Sequence, residues 1–315
     1  MTHCCSLRFV DGMDNYLRPY MNDPTILLNN LKGFSRFMAS PQNWSAIEEL
    51  QGGAELVPAK ILSELPTAIN KAGTTLREIH ISCFPLLTNY SMLCPDRQDK
   101  LNPAWADLHA ACRHLERFEL GGGSMHNLPI RYNHPLAGER LFIDKYLSAI
   151  LSGQSLESVD LNFWAFAVND RDNRKDRFPI GLVLGAMNWP RIKRVIIVDI
   201  SLNQGELEEF CNRLGSGLEV IFLYSIQLLS GSWAGALDIL REKVSSRYLE
   251  MKCKIHFREL FGGEFGKGTQ KKKNRELCEF LVDKEPLIVT LSKQYVSGEV
   301  AENPLKGDRG RWDEL

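Results

Sequence analysis

Four carboxylates stand out among the side chains of this 315-residue chain that could take part in chemistry. Glu116 and Glu119 lie in one short segment, and Glu157 and Asp160 lie in a similar segment further along. Carboxylates gathered in a pocket can serve as general acids and bases. These four could therefore form an active site built from loops at one edge of a sheet, or they could form a solvated or partner-facing surface.

The remaining candidate motifs lack the spacing that their chemistry requires. His109, Cys112 and His114 are close together, but His-x2-Cys-x-His is not a structural zinc pattern. The segment Gly263–Thr269 resembles a phosphate-binding loop, yet it lacks the required early glycine and the Ser or Thr after the lysine. Motifs for a serine nucleophile, a zinc protease or a dinucleotide are absent from the sequence. We therefore expect a non-catalytic protein with no cofactor and no metal.

A recurring strand pattern positions these side chains. A large apolar residue is followed by two others, an apolar residue, one other and a further apolar residue, and this pattern occurs six times. The copies begin at Leu76, Leu115, Leu156, Ile192, Leu218 and Tyr248. They are separated by steps of 39, 41, 36, 26 and 30 residues. Such a repeat is typical of a solenoid, in which each unit packs only against its neighbours.

Apolar residues at helical spacing lie between the strand copies. Helices are expected over 58–72 with a break at Pro66, from Asn102-Pro103, over 139–151 and 205–214, after Ser232, and from Pro286. Strand, helix and strand in series favour parallel strands with right-handed crossovers. The predicted fold is therefore α/β: an irregular leucine-rich-repeat-like solenoid with a curved parallel sheet inside and helices outside. Trp164 and Phe166 continue the apolar pattern and are expected in its core.

Four segments are predicted along the chain. Residues 1–55 form an N-terminal helical segment, and 56–261 form the leucine-rich-repeat-like array. Residues 262–275 are rich in Gly and Lys and form a flexible basic linker. Residues 276–315 form a C-terminal helical cap and tail, because a solenoid needs its end faces covered.

The residues between the apolar positions point to the opposite, concave face of the sheet. In the first three strands these are Glu78, His80, Glu116, Glu119, Glu157 and Asp160. In the fourth and fifth they are Ile196, Val198, Val220, Phe222 and Tyr224, and in the sixth Lys252 and Lys254. An acidic zone thus grades into an apolar one. The apolar zone is either a site for a protein partner or a surface that the C-terminal tail or a loop covers.

Composition excludes several classes of partner. The net charge is −1, so the chain as a whole has no electrostatic attraction for nucleic acid or anionic membrane. No apolar run is long enough for a membrane span. Eight cysteines are too few for a disulfide scaffold, and the N-terminus has no signal-peptide pattern. A cytoplasmic or nuclear location is expected; the sequence does not indicate the oligomeric state.

The chain resembles the leucine-rich-repeat-like region of fungal F-box proteins. The resemblance covers roughly residues 55–305 and is carried by Pro58–Ile81, by Leu228–Trp233 with its Gly-Ser-Trp, and by Tyr295–Leu305. It implies an array that captures a substrate, and an F-box that docks on the adaptor of a cullin-type ubiquitin ligase. The Leu-Pro-acidic opening of an F-box has no match before residue 55. The expectation is a truncated or divergent substrate receptor.

Overall fold

The computed structural model describes residues 6–9, 58–81, 103–121, 137–163, 168–169, 175–245, 253–265 and 287–306. The chain divides into two compact units, Met1–Gly153 and Gln154–Leu315. The helices predicted within 1–55, the core positions Trp164 and Phe166, and the basic residues of the predicted linker lie outside the described residues.

Among its described residues, the first unit combines three parallel strands with three helices. Its strands are β1 (Ser6–Phe9), β2 (Glu78–Ile81) and β3 (Arg117–Leu120), and its helices are α1 (Pro58–Lys71), α2 (Pro103–Cys112) and α3 (Ala137–Leu151). β2 pairs with β1 on one side and with β3 on the other. The apolar positions of both strand copies are fully buried, which confirms the inward face read from the sequence. They are Leu76, Ile79, Ile81, Leu115, Phe118 and Leu120.

The predicted break at Pro66 is wrong, because α1 continues through that residue. A proline has no N–H to donate to the carbonyl four residues earlier, which is that of Leu62. The buried Tyr146 of α3 supplies the missing donor: its hydroxyl donates to the Leu62 carbonyl oxygen over 3.2 Å. A tertiary contact therefore replaces the lost backbone bond, and no pattern within 58–72 could have indicated it.

The second unit has a larger parallel sheet. Its strands are β4 (Ser158–Asn162), β5 (Val168–Asn169), β6 (Lys175–Asp176), β7 (Phe178–Pro179), β8 (Arg194–Val198), β9 (Ile200–Leu202), β10 (Val220–Leu228) and β11 (Lys254–Gly262). Its helices are α4 (Gly181–Ala186), α5 (Gln204–Asn212), α6 (Trp233–Ile239, extended by a π turn at Leu240–Ser245) and α7 (Leu287–Ser297). The α/β class and the parallel pairing are confirmed.

The long strand β10 lies at the centre of this sheet. One side of β10 pairs with β8 and then β9, and the other side pairs with β11 along its whole length. β4 pairs with β8, while β7 pairs with β9. Between β4 and β7 the chain leaves the sheet and forms the small antiparallel pair β5–β6. Phe163 and Phe178 stack at 4.9 Å between the point of departure and the point of return.

The sixth strand copy, predicted over Tyr248–Cys253, lies outside the described residues except for Cys253, and β11 begins at Lys254. The buried positions of β11 are Phe257, Leu260 and Gly262, with Ile255 partly buried. They lie level with the buried positions of β10. The short helix α4 was missed, because it covers only six residues.

The Gly-Ser-Trp segment forms the start of α6. The Ser232 hydroxyl accepts a hydrogen bond from the Gly235 N–H at 3.0 Å, which confirms the predicted helix cap. The Glu264 carboxylate accepts hydrogen bonds from two further backbone N–H groups at this helix start, those of Trp233 and Ala234. The Trp233 ring is fully buried, and its indole N–H donates to the Phe261 carbonyl at 2.9 Å. The helix start is therefore tied to the end of β11.

The described tail packs on the helices of the second unit. Asp238 of α6 accepts hydrogen bonds from the Tyr295 hydroxyl and the Asn303 amide, both at 2.7 Å, and pairs with Lys306. Arg241 donates to the Val300 carbonyl and lies 4.4 Å from the Tyr295 ring centroid. Residues 287–306 are thus fixed to α6 and to the turn after it.

Candidate binding face

The register of the second unit's sheet places its outward side chains in rows. Ile197 and Leu223 turn toward α5 and α6, where they lie among Phe210 and Trp233. Their chain neighbours turn the other way, because side chains alternate along a strand. One outward row contains Asp160, Ile196, Phe222 and His256, and the next contains Asn162, Val198, Tyr224 and Arg258. We call these two rows, with Lys254 at the entry of β11, the binding face.

The centre of the binding face is apolar. Ile196, Phe222 and Tyr224 are each partly exposed, and the Phe222 and Tyr224 rings lie 6.3 Å apart. Val198 belongs to the same apolar group but is only 7% exposed, so it supports its neighbours more than it offers surface. The structure therefore brings together four of the five residues of the predicted apolar zone, and three of them reach solvent; the fifth, Val220, lies level with Arg194 and Lys254.

One side of the face is basic. Lys254, His256 and Arg258 lie at alternate positions of β11 and are all exposed. His256 lies 6.0 Å from the Phe222 ring, and the Arg258 guanidinium lies 5.9 Å from the Tyr224 ring. Within the described part of the chain none of these three side chains forms an ion pair. The predicted position of Lys254 on this face is confirmed, whereas Lys252 lies outside the described residues.

The predicted acidic zone is not a free acidic surface. In the first unit Glu116 pairs with Arg77 at 3.0 Å, and Glu119 lies 2.9 Å from the His80 ring nitrogen. In the second unit two further pairs form, Glu157 with Lys193 at 2.6 Å and Asp160 with Arg194 at 4.0 Å.

The shortest of these ion pairs, Glu157–Lys193, shifts the pKa values of both its partners. The Lys193 ammonium lowers the pKa of Glu157, chiefly through their hydrogen bond, and Glu157 raises the pKa of Lys193 in return. Four carboxylates of the predicted zone, Glu116, Glu119, Glu157 and Asp160, thus each have a basic partner within their own unit. Sequence reasoning missed this because the partners lie on neighbouring strands, not within the same segment.

A row of unusual backbone conformations crosses the sheet beside the binding face. Asp199, Ser225 and Glu259 have φ angles of 60°, 59° and 56°, the left-handed region that side-chain-bearing residues seldom adopt. The strand register places them next to one another, between β8 and β9, within β10 and within β11. Each adds one residue to the strand alternation, so that buried positions resume three residues later instead of two. We call this the bulge row.

A buried charged cluster stabilises the bulge row. The register places Arg177 level with Asp199, and the two side chains are 5% and 0% exposed. Ser225 lies between them: its hydroxyl donates to Asp199 at 2.6 Å and accepts from Arg177 at 3.0 Å. The guanidinium also stacks 3.5 Å above the Phe261 ring. Burial lowers the pKa of Arg177, while the nearby Asp199 raises it, which is the pattern of a desolvated but compensated charge.

The bulge row also fixes Tyr224. The Tyr224 hydroxyl donates to the Glu259 carboxylate at 3.0 Å. Burial and, next, the charge of Glu259 raise the pKa of Tyr224 to about 12, so the phenol is protonated at neutral pH and acts as a donor. The exposed aromatic pair is therefore held in one orientation by the backbone feature next to it.

The signal for the bulge row is present in the sequence but is faint. Buried residues recur at spacings of two, three and two: Val195, Ile197, Ile200 and Leu202, and again Ile221, Leu223, Ile226 and Leu228. The residue before the third apolar position is Asp199 in one strand and Ser225 in the other. Aspartate tolerates the left-handed region better than most residues, but serine and Glu259 carry no such signal.

The described residues show no cluster that could hold a metal ion. Cys112 is fully buried, and burial raises the pKa of its thiol to about 12, so it is a neutral core residue and not a ligand. His109 is exposed, away from that core position. Among the described helices none is long and apolar enough to cross a membrane.

Comparison of the chain with protein-family models, with curated proteins and with solved structures gives no match. The functional argument therefore depends on the chemistry of the binding face. The face is apolar and aromatic at its centre and basic along β11. The bulge row holds the Tyr224 side chain of this face in place.

Proposed function

We propose that this chain is a non-catalytic protein-recognition scaffold, an irregular leucine-rich-repeat-like array that binds a protein partner through the binding face of its second unit. The observation that carries the proposal is the partly exposed Phe222–Tyr224 pair beside Lys254 and Arg258, which form no ion pair among the described residues. Aromatic side chains at the centre of a surface, surrounded by polar groups, supply most of the affinity in protein interfaces. Ile196 and Val198 complete the apolar centre.

Rigidity supports this function. The Tyr224 hydroxyl is held by Glu259, and the strands beneath are held by the Arg177–Asp199–Ser225 cluster. A surface that is already ordered loses little conformational entropy when a partner binds. The bulge row therefore serves recognition by fixing the aromatic pair in advance.

The position of the tail also supports a partner site. The alternative reading was that the tail covers the apolar face. The described tail hydrogen-bonds to α6 and to the turn after it, through Asp238 and Arg241, and α7 also packs beside β11. Lys254, His256 and Arg258 of β11 are nevertheless exposed, so the described residues 287–306 do not cover the basic side of the face.

A loop-built enzyme is the alternative function, and the ion pairs count against it. It requires carboxylates that are free to exchange protons with a substrate. Glu116, Glu119, Glu157 and Asp160 instead lie beside basic side chains, and they are divided between the two units. The recognition function needs no change in these pairs.

The family resemblance makes the proposal more specific. A substrate receptor of a cullin-type ubiquitin ligase would use the binding face for its substrate, in the cytoplasm or nucleus. Its adaptor would bind elsewhere on the protein. Purified adaptor and the full-length protein should then form a complex in a pull-down; the absence of such a complex would remove the ligase role and leave the recognition function.

Variants of the aromatic pair test the binding face. Affinity purification from the native organism would compare the wild type with the Phe222→Ala/Tyr224→Ala double variant by quantitative mass spectrometry. We expect the specific partner to be lost from the double variant, by about tenfold or more if each ring acts as an interface anchor. A matched control is His80→Ala/Glu119→Ala, which removes an outward pair of the first unit and should retain the partner. Equal recovery with all three proteins would contradict the assignment, provided that circular dichroism shows each variant folded.

A further inference from the structure

The charges of the binding face are not balanced. Asp160 is already paired with Arg194, and the negative charge of Glu259, which accepts the Tyr224 hydroxyl, offsets only one of the two charges of Lys254 and Arg258. Lys254, His256 and Arg258 remain exposed and form no ion pair within the described part of the chain. The chain as a whole carries a net charge of −1, so this basic strip is local. A local excess of one sign indicates a partner of the opposite sign.

The spacing of the basic strip matches that of an extended peptide. Lys254, His256 and Arg258 occupy alternate positions of one strand, so their Cα atoms repeat every ~6.6–6.8 Å. An extended partner segment repeats its own alternate side chains at the same distance. Carboxylates four residues apart in such a segment can therefore face Lys254 and Arg258 together, and the side chain midway between them lies level with His256 and Phe222. The apolar centre lies one strand away, beside these cations.

We infer that the partner presents an extended acidic segment with a large apolar side chain, and that this side chain packs on Phe222 while its flanking carboxylates face Lys254 and Arg258. This inference rests on the proposed recognition function and specifies the chemistry of the partner. The aliphatic Ile196 and Val198 beside Phe222 suit an apolar side chain. The charge pairs set orientation and specificity, and the apolar contact supplies most of the affinity.

A single-stranded nucleic acid also combines negative charge with groups that stack on aromatic rings. The binding face fits it less well. Only three basic residues line the strip, whereas binding to a phosphate backbone requires a continuous basic groove. Binding of a labelled oligothymidylate or oligouridylate is therefore an outcome that would overturn the inference.

A random dodecapeptide library displayed on phage provides the probe. It is panned against the full chain without counter-selection, and the selected peptides are then measured against the wild type and the Lys254→Glu/Arg258→Glu variant. Both residues are exposed on β11, so the substitutions should leave the core intact, and Lys254→Gln/Arg258→Gln gives a milder second variant. We expect the selected peptides to be enriched in Asp or Glu around a Trp, Phe or Leu. Charge reversal should weaken the best peptide about tenfold.

Charge exchange then tests the pairing itself. A version of the best peptide with Lys in place of its acidic residues should bind the Lys254→Glu/Arg258→Glu variant better than it binds the wild type. Amide versions with Asn and Gln should bind both proteins weakly. Raising the salt concentration should weaken the acidic peptide and should change the amide version little, because exposed charges are screened.

The outcomes separate the inference from the proposed function. Selected peptides that depend on Phe222 but carry no acidic bias, or that tolerate charge reversal, would overturn the inference and leave the recognition function intact. Peptides that are indifferent to both Phe222→Ala and charge reversal, or the absence of any selected peptide, would count against both. Acidic peptides that lose binding with either change would support both.

Discussion

The two units use the same strand pattern but differ in what they expose. In the first unit the outward residues of β2 and β3 are polar or charged, and His80 pairs with Glu119 across the two strands. In the second unit the matching outward position of β10 is Phe222, followed by Tyr224, and Lys254 and Arg258 beside them form no ion pair within the described residues. The residues at the apolar positions of the pattern therefore determine the fold. The residues at the positions between them determine which surface can recognise a partner.

The units also differ in how long their strands run. β2 and β3 have four residues each, whereas β10 and β11 have nine. The longer strands pass through the bulge row, which requires residues in the left-handed region and a buried charged cluster to hold them. A long, bulged sheet gives a wide surface, and it depends on polar groups that have lost their water.

Removal of a buried charge should have the largest effect. Asp199→Ala leaves Arg177 buried without its carboxylate, and we expect it to lower the free energy of unfolding of the second unit by about 3–5 kcal/mol. Arg77→Ala, which removes the exposed partner of Glu116 in the first unit, should cost less than about 1 kcal/mol. Urea unfolding measures both, and hydrogen exchange should place the Asp199 effect in β9, β10 and β11. Equal effects of the two substitutions would remove the contrast between buried and exposed charges.

A neutral buried hydrogen bond should come next. Tyr146→Phe leaves the buried Leu62 carbonyl without its donor and should destabilise the first unit by about 1–3 kcal/mol. In a Pro66→Ala background the backbone N–H of residue 66 is restored and can satisfy that carbonyl. The same Tyr146→Phe change should then have little effect. Thermal unfolding of the four proteins gives the coupling, and strictly additive effects would show that the hydroxyl does not replace the missing N–H.

Glycine substitutions at Glu259 and Glu78 should change the free energy of unfolding differently in the two units. Glu259 lies in the left-handed region, where a side chain costs about 1–2 kcal/mol, so Glu259→Gly relieves strain while it removes the bond to Tyr224. The net change should be near zero or stabilising. Glu78 of β2 has ordinary strand geometry, so Glu78→Gly should destabilise by about 1 kcal/mol. Chemical denaturation compares the two variants, and destabilisation by Glu259→Gly of the same size as by Glu78→Gly would be evidence against the bulge row.

The smallest effect concerns the exposed pair Glu157–Lys193. The pKa of Glu157 is lowered in the folded chain, so its contribution is present above the pKa of an unfolded glutamate, about 4.3, and is lost as pH falls through the folded value. Glu157→Gln should therefore reduce stability slightly at pH 7, and the difference from the wild type should vanish in acid. Unfolding curves at both pH values measure this, and a difference that grows in acid would contradict the sign.

The elements of the fold could be predicted where periodicity was strong and local. The strand phrases, the start of α2 at Pro103 and the Ser232 cap all follow from neighbouring residues. The continuity of α1 through Pro66 could not be predicted, because the compensating donor is Tyr146, far away in the sequence.

The binding face could be predicted only in part, because neighbouring residues indicate which way a side chain points but not which distant residue it contacts. Alternation alone placed Phe222 and Tyr224 on the outward face. Alternation does not reveal partners on neighbouring strands. Glu116 and Glu157 were therefore predicted to form part of an acidic zone, whereas each pairs with a basic side chain. The Arg177 cluster could not be predicted, because the chain leaves the sheet after β4 and rejoins it at β7. Only the position where it rejoins the sheet brings Arg177 level with Asp199.

The central claim is that the binding face contacts another protein and not a further part of this chain. Site-specific photocrosslinking tests it most directly, with p-benzoylphenylalanine in place of Phe222 and, as a control, in place of Glu119 in the first unit. We predict an adduct of the Phe222 position with another protein in extracts of the native organism, and a large reduction of that adduct when Tyr224→Ala is added. Crosslinks from the Phe222 position only to peptides of this same chain would contradict the account.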